Sequence, residues 1–281
     1  MKIQFASQMY HAVQRMPFSK LIRPSAPVLV LAGNTINPWS DAGREFLKSA
    51  SLSFDKVFII PGVEEHRSRI DTCYKKNLDK LMEVVYKHNN TALLDSRKHD
   101  MSHDHMIIGN TLWNHLIGVP GHSIEDMTGI NERRRIAGSN DFIFDIITKD
   151  AIQNQYMSNR DYIKHAVLDP ENTYMNMTVA TYHVPCFEML SKEDKARYGT
   201  AIMAGSELHY CMSPMKVWIA GAGEGATIAR TKGILFVKNA RGNGDSPHPT
   251  FRVDAVVDVV NGSTTLECPS ASGSALTLFL K

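Results

Sequence analysis

The most informative pattern along the chain is a series of short apolar runs, rich in β-branched residues, each cut off by a turn residue. Val28–Ala32 is unbroken and stops at Gly33, and Val57–Ile60 stops at Pro61 and Gly62. Runs without polar alternation are what strands buried on both faces produce. Ile3–Ala6, Thr91–Leu94, Met106–Ile108, Tyr174–Thr181 and Val217–Ala220 read as further strands. Between them, Asp41–Ala50 carries apolar residues at helical spacing, with Ser40 or Asp41 as N-cap. Ser68–Lys87 reads as the clearest helix, its apolar stripe running from Ile70 and Cys73 to Val85 with Lys and Glu opposite. Strand and helix in alternation predict an α/β fold with a largely parallel sheet.

The remaining segments are less regular. Asp95–His105 reads as a loop, residues 109–139 as a long irregular insertion, and Asp141–Leu168 and Lys192–Met212 as helical. From Ala226 the texture changes to strand, turn, strand: Ala226–Arg230, Ile234–Lys238, Phe251–Val260, Thr264–Leu266 and a last strand at Ala275–Leu280. With no internal repeat and no linker, residues 1–281 are expected to form a single domain.

Composition narrows the function classes. Hydrophobic content of 43% and charged content of 21% are those of an ordinary globular protein, and a formal net charge of +2 supplies no global field for nucleic acid or membrane. No run approaches the ~18 apolar residues of a membrane span, and the N-terminus does not read as a signal peptide. Cys73, Cys186, Cys211 and Cys268 lack CxxC spacing and read as reduced thiols. A cytoplasmic protein without cofactor is the expectation.

Four local clusters invite chemistry. Gly221-Ala-Gly-Glu-Gly-Ala226 matches a dinucleotide fingerprint, but that motif needs a helix next, and Thr227–Gly233 reads as strand and turn. His99, His103 and His105 with two aspartates could ligate a transition metal; as a loop they carry no fixed geometry. Glu132-Arg-Arg-Arg135 reads as a solvated helix face, and Cys186 near His183 as a buried thiol at a strand end.

Several strand ends taken together resemble the calcineurin-like metallophosphoesterase family, in frame and in order. Met1-Lys-Ile-Gln-Phe-Ala-Ser-Gln-Met-Tyr-His11 is similar to that family's first strand with its Asp-x-His motif, and Val28–Asn34 to its Gly-Asp motif. Phe58–Glu65 resembles its Pro-Gly-Asn-His-Glu motif, Ile107–Trp113 a strand and turn common in its members, and Thr178–Pro185 its Thr-His-His-x-Pro segment. Val217–Glu224 resembles its Gly-His-x-His motif and Lys238–Gly242 its closing Asn-x-Arg-Gly. The resemblance implies two packed mixed β-sheets flanked by helices, an α/β/β/α sandwich, with two metals at the strand ends that activate water and clamp a phosphate.

Carried over one position at a time, the ligand positions of that family fall on residues of other chemistry. The first-motif Asp and His become Gln8 and Tyr10, and the metal-bridging Asp becomes Asn34. The third-motif Asn and His become Val63 and Glu64, the next His becomes Tyr182, and the last two become Ala222 and Glu224. Only Glu224 keeps a good ligand type. The resemblance therefore implies a catalytically inactive member, retained for binding a protein partner or for self-assembly, in a large assembly such as a virion. A metal-dependent hydrolase with a rearranged single-metal site, drawing on Glu64, Glu65, His66, His183 and Glu224, is the alternative. A third reading is a cleft that holds a nucleotide or phosphate without cleaving it.

Overall fold

The computed structural model describes residues 1–68, 73–113, 131–135, 142–146, 149–172, 176–186, 189–190, 215–242, 244–260 and 263–267. Its strands are β1 (Lys2–Ala6), β2 (Val28–Ala32), β3 (Lys56–Ile60), β4 (Thr91–Leu93), β5 (Arg97–Ser102), β6 (His105–Asn110), β7 (Asn131–Arg135), β8 (Phe142–Ile146), β9 (Asn176–Thr181), β10 (Met215–Ala220), β11 (Gly225–Thr231), β12 (Ile234–Ala240), β13 (Val256–Val260) and β14 (Ser263–Glu267). The helices are α1 (Tyr10–Val13), α2 (Phe18–Leu21), α3 (Asp41–Ser53), α4 (Val63–His66), α5 (Tyr74–Val85) and α6 (Lys149–Leu168).

Two six-stranded sheets form, in the orders β14-β13-β1-β2-β3-β4 and β11-β12-β10-β9-β6-β5. In the first, β1 to β4 run parallel, with β13 and β14 antiparallel at one edge. In the second, β12, β10, β9 and β6 run parallel and are flanked by antiparallel β11 and β5.

The unbroken apolar runs are explained by what each face meets. Because alternate side chains of a strand point to opposite faces, Val28, Val30 and Ala32 of β2 enter the core between the two sheets. Leu29 and Leu31 meet the layer that contains α3 and α5. β10 divides the same way, with Val217 and Ile219 between the sheets and Trp218 and Ala220 in the core that receives Ile152, Tyr156, Ile163 and Val167 of α6. Both sheets are thus covered on both faces, which is the expected α/β/β/α sandwich.

Departures from the sequence expectations cluster where charge hides periodicity. Arg97–Ser102 is a strand, not part of a loop; it lies at a sheet edge, so its polar residues face water without disturbing a core. Glu132–Arg135 belongs to β7, which pairs with β8, so neither segment is helical, and helix resumes only at Lys149. α5 begins at Tyr74 with Cys73 as its N-cap, because the chain after β3 first makes the single turn α4. Phe251–Ala255 is irregular and only Val256–Val260 is strand. The readings at Ile70, Lys192–Met212 and Ala275–Leu280, and most of the 109–139 insertion, lie outside the described residues.

The two sheets are joined at one end by close backbone approach. Ser7 pairs with Ala240, and its hydroxyl donates to the Gly221 carbonyl at 2.9 Å. A Cβ on Gly221 would lie 1.6 Å from the Ala32 carbonyl oxygen, so backbone must move to admit any side chain there. Gly221→Ala is expected to lower unfolding stability by at least ~2 kcal/mol, read from urea denaturation, because overpacking against backbone cannot be relieved by a rotamer change.

Candidate functional site

The carboxyl ends of the parallel strands of both sheets converge, as ligand-binding ends do in α/β folds. β1 leads to Gln8, β2 to Gly33 and Asn34, β3 to Gly62, β6 to Thr111, β9 to Tyr182 and His183, and β10 to Gly221 and Ala222.

The loops are fixed by a buried carboxylate. Gly33 and Asn34 both take positive φ, at 85° and 51°, which turns successive N–H groups towards one point. Glu65, the third residue of α4 and 1% exposed, occupies that point. It accepts from the N–H groups of Asn34 (2.8 Å), Thr35 (2.6 Å) and Ile36 (3.0 Å), and from Gly62 at its own helix start (2.8 Å). Burial pushes its pKa above the ordinary carboxylate value, and the backbone N–H groups pull it back. Since these backbone groups can only donate, the unprotonated carboxylate is the form that fits them.

Around this anchor, the residues that the family resemblance sets at metal-ligand positions bond to one another. Asn34 donates from Nδ2 to Gln8 Oε1 (3.0 Å) and to the Tyr182 hydroxyl (2.8 Å), while its Oδ1 accepts from the Glu64 N–H (2.9 Å). That last bond fixes which end of the amide is oxygen. The Tyr182 ring lies over two glycines: a Cβ on Gly33 would come within 2.4 Å of it and one on Gly62 within 2.9 Å. Burial pushes the Tyr182 hydroxyl well above the ordinary phenol value, and burial with the Glu65 and Glu64 charges does the same to Tyr10. Both phenols are therefore neutral at physiological pH.

Glu64 is forked by Arg67, which donates from Nε at 3.0 Å and from Nη2 to the second oxygen. Arg67 escaped sequence reasoning, although a basic residue three positions after Glu64 on one helical turn was a usable signal. Ala222 and Gly221 donate their N–H groups to the Tyr182 carbonyl, and Glu224 packs beside Gly242, 3.7 Å from where a Cβ would stand. Val63 is half-buried at the first position of α4.

His66 and His183 meet at Thr111. The Thr111 hydroxyl donates to Pro61 O (2.9 Å), so it accepts from His66 Nε2 (3.1 Å). His66 Nδ1 is then a lone-pair acceptor, buried and without a partner. Burial lowers the pKa of His66 to about 3, and that of His183, bonded to the Thr111 carbonyl at 3.3 Å, to about 4. His99 and His105, candidates for a separate metal loop, lie on β5 and β6: His99 packs on Phe58 and His105 bonds the Thr178 hydroxyl. Among the described residues, no group of three His, Cys, Asp or Glu is gathered to hold a metal ion.

No family model matches the chain. A segment of 162 residues is 24% identical to an uncharacterized protein of Acanthamoeba polyphaga mimivirus, covering 57% of this chain and 55% of that protein, so the match spans about half of the relative's length. The phosphopantetheinyl hydrolase of Mycobacterium tuberculosis superposes with a TM-score of 0.58 over 86% of this chain and 89% of its own, at 13% identity. A second solved structure matches over 95% of this chain and 98% of its own, with a TM-score of 0.50 and 15% identity. At these identities the likeness concerns the fold. The family resemblance implies paired metals, and the donors at the positions it indicates do not suit them. Gln8 and Asn34 are neutral amides bonded to each other, Tyr10 and Tyr182 are neutral phenols, and Glu64 is held by Arg67. The chain has the calcineurin-like phosphoesterase fold, two mixed sheets between helical layers.

Two predictions rest on these buried groups. Glu65→Gln turns an N–H group towards backbone donors and is expected to cost ~3 kcal/mol of stability, measured by urea unfolding. The second concerns pH. His66, His183 and His105, the last also lowered to about 4, are neutral when folded, while the unfolded chain protonates near 6.5. Unfolding then takes up protons below pH 6.5, so their contribution is complete above that value. It declines as pH falls towards 4, by about 1.4 kcal/mol per pH unit per histidine. The urea midpoint should fall steadily between pH 6.5 and 5, and His183→Asn should flatten that slope.

Proposed function

We propose that this chain is a non-hydrolytic phosphoesterase-fold protein that acts through its surface, as a binding or structural component contacting a protein partner or further copies of itself. The observation that carries the reading is the Asn34 amide. It stands at the position that the family resemblance assigns to a bridging carboxylate, and its hydrogen bonds run to Gln8, Tyr182 and the Glu64 backbone. A carboxylate between two dications offsets their repulsion and serves both; an amide whose oxygen faces a backbone N–H does neither. The neutral phenols of Tyr10 and Tyr182 support the same reading, since a polar site that satisfies itself does not require a metal to remain stable.

Residues 1–281 are read as one domain because both sheets share the core between them. A cytoplasmic or virion setting accords with the thiol of Cys73, which forms no disulfide, and with the relative in mimivirus. The competing reading is a hydrolase with a displaced single-metal site.

Metal analysis of the purified full chain, combined with a bis(p-nitrophenyl) phosphate assay in added Mn²⁺, tests the proposal. The expected result is substoichiometric metal and no turnover above the metal-containing buffer. Stoichiometric metal with metal-dependent turnover would overturn it in favour of the displaced site.

A further inference from the structure

Away from the strand-end cleft, the edges of the two sheets lie side by side. β4 ends one sheet and β5 ends the other, and a cavity of about 390 Å³ opens between them. It is lined by Lys56 from the start of β3, Tyr86 and His88 from the turn after α5, and Arg97, Lys98 and His99 from β5. The cavity runs along the β4 edge to Leu94, and none of Gln8, Asn34, Glu64, Glu65, Arg67, Tyr182 and His183 lines it, so it is separate from the cleft.

The charge balance of this cavity is one-sided. No aspartate or glutamate lines it among the described residues, and none of Lys56, Arg97 and Lys98 forms an ion pair there. The neighbouring acids do not enter: Asp95 is largely buried beside Arg97, and Asp100 acts on His99 from outside the lining. Arg97 is held in place by the Tyr86 hydroxyl, to which it donates at 2.5 Å, with the Tyr86 ring 5.9 Å from its guanidinium carbon. His99 is braced against Phe58 with ring centroids 5.1 Å apart, and burial together with Lys56 lowers its pKa.

Lysines on an edge strand commonly serve to prevent sheet-to-sheet association. That role explains Lys98 but not the convergence of Lys56 and His88, which come from other elements, on the same concavity. Three cations at separate positions match an anion carrying several charges; the Arg97 guanidinium, which donates to the Tyr86 hydroxyl and to Met82 Sδ, still has further N–H groups for an anion oxygen. A cavity of this volume admits a small ligand and excludes a duplex. Arg97 and Lys98 also border an open hollow against α6, but Asp169 and Leu168 line that side and give it no single sign.

We infer that the cavity between the β4 and β5 edges is a binding site for a small anion bearing a diphosphate group, held by Lys56, Arg97 and Lys98. The inference is independent of whether the strand-end cleft hydrolyses anything.

Inorganic pyrophosphate and ADP serve as probes of the full chain, titrated by calorimetry at low salt, with the His99 ring followed by NMR. Saturable binding is expected for at least one of them, accompanied by a rise in the His99 pKa, because the added anion offsets Lys56. The tighter probe identifies a free or a nucleoside-borne diphosphate. The double variant Lys56→Gln, Lys98→Gln should weaken binding at least tenfold while leaving the urea midpoint unchanged, since both side chains reach solvent. Arg67→Gln, in the cleft, should leave binding unchanged. Absence of saturable binding by both probes, or loss of binding in Arg67→Gln with retention in the double variant, would overturn the assignment.

Discussion

A single carboxylate, Glu65, determines the geometry of the strand-end loops. The loop after β2 presents three successive N–H groups to one point because Gly33 and Asn34 adopt positive φ. Such a concentration of donors cannot be buried without an acceptor, and a water would satisfy only part of it. Glu65 supplies two oxygens and a full negative charge, and its bond to Gly62 ties the same group to the end of β3. Two crossover loops that are distant in sequence are thereby set in one register. The positions of Asn34, Glu64 and Tyr182 follow from that register: Asn34 Oδ1 meets the Glu64 N–H only because α4 begins where Glu65 holds it.

The same constraint shows how the strand-end site keeps its shape with neutral groups at most of its positions. Removing divalent cations from a cluster of carboxylates leaves like charges buried and uncompensated, which costs several kcal/mol. Here the positions carry groups whose donors and acceptors are complementary. Asn34 donates twice and accepts once, Gln8 accepts, and Tyr182 accepts from both amides. The remaining charge, Glu64, is forked by Arg67 at the edge of the cleft, where Arg67 keeps partial access to water. The scaffold therefore depends on Glu65 and on the glycine contacts beneath the Tyr182 ring.

Much of this was legible in the sequence because buried parallel strands leave a strong signal. Val28–Ala32 and Val57–Ile60 are apolar on both faces since one face meets the second sheet and the other meets helices. Their stop residues, Gly33 and Pro61-Gly62, mark the site end. The weak points have physical causes. β5 has an exposed face and reads as a polar loop, since an edge strand does not need apolar alternation. α4 is a single turn, too short for periodicity, so the roles of Glu65 and Arg67 were hidden although both residue types were visible. Glu65, read from sequence only as an alternative metal ligand, has both oxygens engaged by backbone donors, and no spacing rule foretells a bond between loops thirty residues apart.

The distribution of charge separates the two ends of the sandwich. Among the described residues of the strand-end cleft, the phenols are neutral, Glu64 is paired with Arg67, and Glu65 keeps its charge within a cradle of N–H groups. At the β4–β5 edge, Lys56, Arg97 and Lys98 line one cavity, with no carboxylate among the described residues that line it. Folding alone does not produce that asymmetry, because edge cations gain nothing from mutual approach and lose energy to repulsion that salt only partly screens. The cleft bonds most of its polar groups to one another, with His66 Nδ1 left without a partner, whereas the edge cations face a concavity and have only Asp95 and Asp100 as neighbouring acids outside its lining. The strand ends thus hold their charge in internal bonds, while the seam between the sheets presents its cations to a concavity.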